Sequence, residues 1–123
     1  MSDEGKPQIW PYESDAFREV NAGMRRRIFN GENLSLCFWR IDPTTPRTPY
    51  AGHPNNEQFG LIIAGQLEFR IGSEERTLLG PGDIYYAPKN MPHGDSKFIP
   101  DPRTGETWIL DMFSPVREEY RRG

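Results

Sequence analysis

Two histidines occur in this chain of 123 residues, each beside a strand-like run: His53 in GHPNNEQFGLIIAG (52–65) and His93 in PGDIYYAPKNMPHG (81–94). A neutral imidazole is among the commonest transition-metal ligands, and it can equally close a turn by bonding a backbone carbonyl. Gln58 bears on the choice, because an amide set in an apolar strand costs roughly 1–3 kcal/mol unless its hydrogen bonds are met. Asp111 in WILDMF (108–113) raises the same question, since aspartate forms strands poorly and is buried at a cost unless paired. Arg117, in the tail VREEYRR (116–122), is the obvious partner for it, or else a solvated arginine. Arg40, ending LCFWR (36–40), reads as a second anion contact or a strand-end charge. Trp39, Tyr85, Tyr86 and Trp108 read as packing whose aromatic faces are able to stack on a ligand ring, and Phe113 reads as core.

These residues need a scaffold, and the composition constrains it. A chain of this length makes one domain and can bury a core without disulfides. Twelve glycines and twelve prolines, with 35% hydrophobic and 12% aromatic residues, favour many short strands over long helices. The single cysteine, Cys37, lies in the apolar run LSLCFW (34–39) and reads as a buried structural thiol. A formal charge of −3 with interspersed signs argues against nucleic acid. No apolar window is long enough for a bilayer, and the polar start MSDEGKPQIW is unlike a signal peptide. The expectation is a cytoplasmic protein with a small-molecule partner and no membrane or nucleic-acid partner.

Residues 1–22, with Pro7 and Pro11 and no sustained period, read as an extended arm, and 23–123 as one domain with a short C-terminal tail. MRRRIFNGENLSLCFWRID (24–42) reads as a hairpin about Asn30-Gly31, a dipeptide that tolerates positive φ. The proline-rich loop 42–56 delivers His53 to a strand entrance near Glu57. In EQFGLIIAG (57–65), Gln58, Gly60 and Ile62 share one face and Phe59, Leu61 and Ile63 the other, so the strand reads as covered on both sides. Leu67, Phe69 and Ile71 alternate with Glu68 and Arg70, and the turn GSEER (72–76) returns the chain into TLL. A strand at 84–86, a turn KNMPHG (89–94) and a last strong strand in ETWILDMFS (106–114) complete an all-β sandwich or barrel.

Pro81, Gly82, Asp83, Tyr86, Pro88, Pro92 and His93 resemble the second motif of the cupins, and His53, Gln58 and Gly65 resemble the second half of the first. Ala51 stands where the first motif has its first histidine. The resemblance spans roughly 24–120 and implies a cupin-type double-stranded β-helix, or jelly-roll, barrel. The ending Asp-x-Phe-Ser-Pro-x-Arg at 111–117 further resembles the small cupins that open the ring of unsaturated uronates during pectin and alginate breakdown. That likeness implies a pocket lined by Asp111, Phe113 and Arg117, with Gln58 replacing the usual metal-binding glutamate. It also implies a divalent transition metal (Zn, Ni, Mn or Fe) on His53, Gln58 and His93.

The expected activity is therefore metal-assisted ring opening or isomerisation of a sugar acid by an isomerase- or lyase-type enzyme. Asp111, Arg117, His53 and His93 are the expected catalytic set, and Gln58, Phe113, Arg117, Tyr86 and Arg40 the expected substrate contacts. Arg117 would grip a carboxylate, Asp111 would move a proton, and the metal would polarise an oxygen. The missing first histidine keeps open a metal-independent dehydratase or cyclase with a histidine base, and a non-catalytic binding cupin is a third reading. Ile9, Trp10 and Tyr12 in the arm, together with the frequent dimerisation of small cupins, lead to the expectation of a homodimer.

Overall fold

Short runs of alternating apolar residues between glycines and prolines fold as strands. The computed structural model describes residues 6–121, and these hold β1 (Arg18–Asn21), β2 (Met24–Asn30), β3 (Ser35–Ile41), β4 (Tyr50–Ala51), β5 (Glu57–Ala64), β6 (Gln66–Ile71), β7 (Thr77–Leu79), β8 (Ile84–Ala87), β9 (His93–Ile99) and β10 (Thr107–Ser114). A short 3-10 turn at Ser14–Ala16 and a one-turn helix α1 (Glu118–Arg121) are the helical pieces. The strands make two antiparallel sheets, ordered β1-β2-β3-β10-β5-β8 and β4-β9-β6-β7. Ile41, Ile62 and Ile109 from the first meet Leu67, Phe69 and Phe98 from the second in one buried cluster. The sheets therefore face each other as the two walls of a jelly-roll barrel. Cys37, Phe113 and Tyr120 form a second cluster beside α1. Burial, aided by the charge of Asp111, pushes the Cys37 thiol up to about 12, which fits an inert structural thiol.

The structure departs from the sequence reading in four places. The β2–β3 hairpin forms, but through the loop 31–34 closed by Gly31 N–H on the Leu34 carbonyl at 2.8 Å, and neither Asn30 nor Gly31 takes positive φ. Residues 93–99, expected only to begin with a turn, make the strand β9 between β4 and β6. The last part of the expected arm is β1, hydrogen-bonded along β2. Finally, β5 is covered on one side only: Gln58, Gly60 and Ile62 are buried, whereas Phe59 and Ile63 are exposed. The arm explains that asymmetry. Trp10 packs on Phe29 at 5.1 Å and Tyr12 stacks on Trp108 at 5.7 Å, so the arm covers the outer face of β2, β3 and β10 within its own chain. Phe59 on β5 and Ile84 and Tyr86 on β8 stay exposed.

Candidate active site

The barrel walls enclose a pocket of about 250 Å³, and period-two alternation decides which side chains reach it. On β10 the inward set is Thr107, Ile109, Asp111 and Phe113. Asp111 lies opposite Gly60 on β5, and Gly60 lies opposite Tyr85 on β8. A β-carbon at Gly60 would sit 2.0 Å from the Tyr85 ring, so the glycine makes the space that the tyrosine fills. Tyr85 thereby reaches both neighbours. The Gln58 Nε2 donates to the Tyr85 hydroxyl at 2.7 Å, and that hydroxyl donates to Oδ1 of Asp111 at 3.2 Å. Trp39 Nε1 donates to the other carboxylate oxygen at 3.1 Å.

Asp111 is 9% exposed and has no hydrogen-bonded arginine. Burial raises its pKa to about 6, against the pull of the Tyr85, Trp39 and Gln58 hydrogen bonds and of the Arg117 charge. Burial also raises the Tyr85 pKa well above the usual tyrosine value, with Asp111 adding to the effect, so Tyr85 stays a neutral donor.

The rings of His53 and His93 lie edge to face with centroids 5.2 Å apart, and Phe113 sits 5.6 Å from His53. Burial, then the charge of Arg117, then His93 bring His53 down to about 4. Burial is also the main cause that lowers His93. Both rings are thus neutral near pH 7. His93 Nδ1 is 3.2 Å from the Met91 carbonyl, which can only accept, so the ring proton is on Nδ1 and the Nε2 lone pair is free. His53 is held in the opposite sense, because Arg117 donates through Nη1 to its Nδ1 at 3.3 Å. The Oε1 of Gln58 is buried with no well-formed hydrogen bond, and His53 is the group that approaches the Gln58 side chain. An orphaned amide oxygen beside two neutral imidazoles is a donor set that suits a divalent transition cation, with Ala51 contributing only a methyl group. Among the described residues no three His, Cys, Asp or Glu side chains cluster for a metal, so a third protein donor beside the two imidazoles would have to be the amide.

His53, Gln58, His93, Asp111, Phe113 and Arg117 all line this pocket. Two expected contacts do not. Tyr86 points outward, where its hydroxyl donates to Glu57 at 2.9 Å, because a four-residue strand that turns Tyr85 inward must turn Tyr86 out. Arg40 is also on the outer face, bonded to Glu106 at 2.9 Å and to Ser14 at 2.9 Å, so its charge is already met there. The anticipated pairing of Asp111 with Arg117 is absent as well. Arg117 instead binds Glu119 at 2.9 Å and lies over the Phe113 ring at 4.8 Å. Tyr85 and Trp39, read from sequence as packing, are the groups that hold Asp111, and only the cross-strand register reveals them.

A jelly-roll barrel with a histidine, an amide and a second histidine lining its pocket is the architecture of the cupins, and the cupin domain family matches residues 37–94 of this chain. Among its relatives is the pectin degradation protein KdgF of Dickeya dadantii (strain 3937), 29% identical over 105 residues, covering 85% of this chain and 89% of that protein. The structure of KdgF from a Halomonas species superposes with a TM-score of 0.72 at 25% identity, covering 84% of this chain and 88% of that one. An RmlC-like cupin from Shewanella frigidimarina NCIMB 400, at 17% identity, shares the fold with a TM-score of 0.74, covering 93% and 96% of the two chains.

Proposed function

We propose that this cupin acts on a sugar acid, opening the ring of an unsaturated uronate of the kind released from pectin. The observation that carries this reading is the pairing in one pocket of a cationic fork, Arg117, with a buried carboxyl raised to about 6, Asp111. Likeness to the KdgF proteins supports the substrate class. In this reading Arg117 exchanges its contact with His53 for the uronate carboxylate, which its planar guanidinium can bind through two parallel hydrogen bonds. Phe113, already under the guanidinium, forms the apolar wall against the sugar ring. Ionised Asp111 removes the proton of the hemiacetal hydroxyl. The ring C–O bond then breaks to give an aldehyde and an enolate, and the same carboxyl returns that proton to carbon as the enolate becomes the keto acid. No atom is gained or lost. A pKa near working pH lets one group serve as base and then acid. His53, Gln58 and His93 would hold a divalent metal, which supplies Lewis acidity toward a substrate oxygen when bound.

The test is ultraviolet absorbance. Purified protein with added divalent metal should bleach the conjugated double bond of unsaturated galacturonate faster than the spontaneous rate. No acceleration with any of Zn, Ni, Mn or Fe would remove the proposal. One observation favours a metal-free route in the same pocket, the occupation of His53 by Arg117. Turnover unchanged after exhaustive chelation would select that route.

A further inference from the structure

His53 cannot act as a ligand in the arrangement seen here. Its Nδ1 lone pair receives the Arg117 N–H, and in the neutral ring the proton must then lie on Nε2, so neither nitrogen offers electrons to a cation. His93, whose Nδ1 faces a carbonyl, has no such conflict. Of the other Arg117 partners, Glu119 is on the solvent side with a side chain 60% exposed and the Phe113 and Tyr120 rings lie 4.8 and 5.1 Å away, while the guanidinium also borders the pocket. An anion entering the pocket meets that guanidinium and competes for the N–H groups that now reach His53. Once they leave, the His53 proton can move to Nδ1 and free Nε2.

We infer that Arg117 couples the two binding events, so that a sugar-acid carboxylate and the metal bind cooperatively: the free protein holds His53 in a non-coordinating tautomer, and the carboxylate releases it. This rests on the metal-assisted reading above and adds an order to it. Linkage makes the effect reciprocal, so metal must strengthen carboxylate binding by the same factor that carboxylate strengthens metal binding. Ala51 makes the dependence sharper, because with two imidazoles at most the loss of one leaves His93 and Gln58 alone.

Calorimetric titration of Ni²⁺ into the full chain, with and without saturating D-galacturonate, tests this, beside Arg117→Met and His93→Gln. Wild-type affinity for Ni²⁺ should rise about tenfold with galacturonate, the value of one charge-assisted hydrogen bond. Arg117→Met should bind Ni²⁺ about tenfold more tightly than wild type without the sugar acid and gain nothing from it. His93→Gln should lose uptake in both conditions. Removing a cation near a metal site also helps electrostatically, so imidazole nitrogen NMR of the metal-free protein supplies a second readout: His53 should carry its proton on Nε2 in wild type and shift toward Nδ1 with galacturonate or in Arg117→Met. Equal Ni²⁺ affinities across wild type, wild type with galacturonate and Arg117→Met, or a wild-type His53 protonated on Nδ1, would overturn the coupling and leave the three-donor site standing. Absence of Ni²⁺ uptake by every variant in every condition would overturn the coupling and the metal site together.

Discussion

Glu106, in the bend just before β10, and Asp111, in the middle of that strand, are five residues apart and similarly exposed, at 8% and 9%. Glu106 binds side chains of the outer face, Arg40 and Trp108, whereas Asp111 lines the pocket. Glu106, on the outside, accepts from Arg40 at 2.9 Å and Trp108 at 3.0 Å and also pairs with Arg25. Burial would raise its pKa, but Trp108, Arg40 and Arg25 more than offset that and the net shift is downward. Asp111, on the inside, has neutral partners only, and burial lifts it to about 6. Similar exposure thus accompanies a carboxylate that is ionised at neutral pH on one face and, set more deeply among protein atoms, a carboxyl that titrates near 6 on the other. Depth and neighbours decide together: Asp111 is the more desolvated acid, and no arginine is hydrogen-bonded to it.

Breaking each acid in turn should separate these roles. Asp111→Asn should lower kcat for uronate ring opening by on the order of 10²–10⁴-fold with little effect on KM, as expected for loss of an acid–base group. Glu106→Gln should leave kcat within about twofold and cost about 2 kcal/mol of stability, because it leaves Arg40 with a reduced partner in a mostly buried position. Steady-state kinetics and thermal melts on the same samples check both.

The pH dependence sharpens the contrast. Asp111 binds its proton more tightly in the folded chain than in the unfolded one, so its contribution falls as pH rises from about 4 to about 6 and stays low above that, a difference on the order of 3 kcal/mol. Glu106 has the opposite sign: its contribution is present at neutral pH and is lost as pH falls through its depressed pKa. His53, lowered to about 4, also contributes stability that is lost as pH falls below about 6.5. The difference curve between wild type and Asp111→Asn isolates the first effect: the variant should gain on wild type between about pH 4 and 6 and keep a constant margin above. A constant difference from acid to neutral pH would show that Asp111 titrates normally.

A smaller effect distinguishes the adjacent tyrosines. Tyr85→Phe removes both the donor to Asp111 and the acceptor for Gln58 and should cost about tenfold in kcat. Tyr86→Phe removes one exposed hydrogen bond to Glu57 and should change kcat and stability by less than about twofold and about 0.5 kcal/mol.

Much of this could be read from residue order. The strands at 24–41, 57–71 and 107–114 announce themselves by alternation, and the motif residues around Gln58, His93 and Asp111 pointed to one pocket, where the structure places them. β9 was hidden because Gly94, Asp95, Ser96 and Lys97 are poor strand formers. It exists because β4 and β6 pair with it, and Asp95, at φ 50°, sits beside the irregularity in the β6 pairing. Which of two consecutive tyrosines faces inward depends on register against Gly60, a relation between strands that no local pattern encodes. The partner of Arg117 likewise depended on where the chain turns after β10, which put Glu119 and His53 within its reach and Asp111 out of it.

The central claim is that Asp111, and not Glu106, is the carboxyl that moves protons. The most direct measurement is the pH profile of kcat for unsaturated galacturonate between about pH 4.5 and 8, taken for wild type, Asp111→Asn and Glu106→Gln. Ionised Asp111 is the base, so wild type and Glu106→Gln should both rise through an inflection near 6, and Asp111→Asn should be slow and flat. A wild-type profile without that inflection, or an inflection that survives in Asp111→Asn, would contradict it.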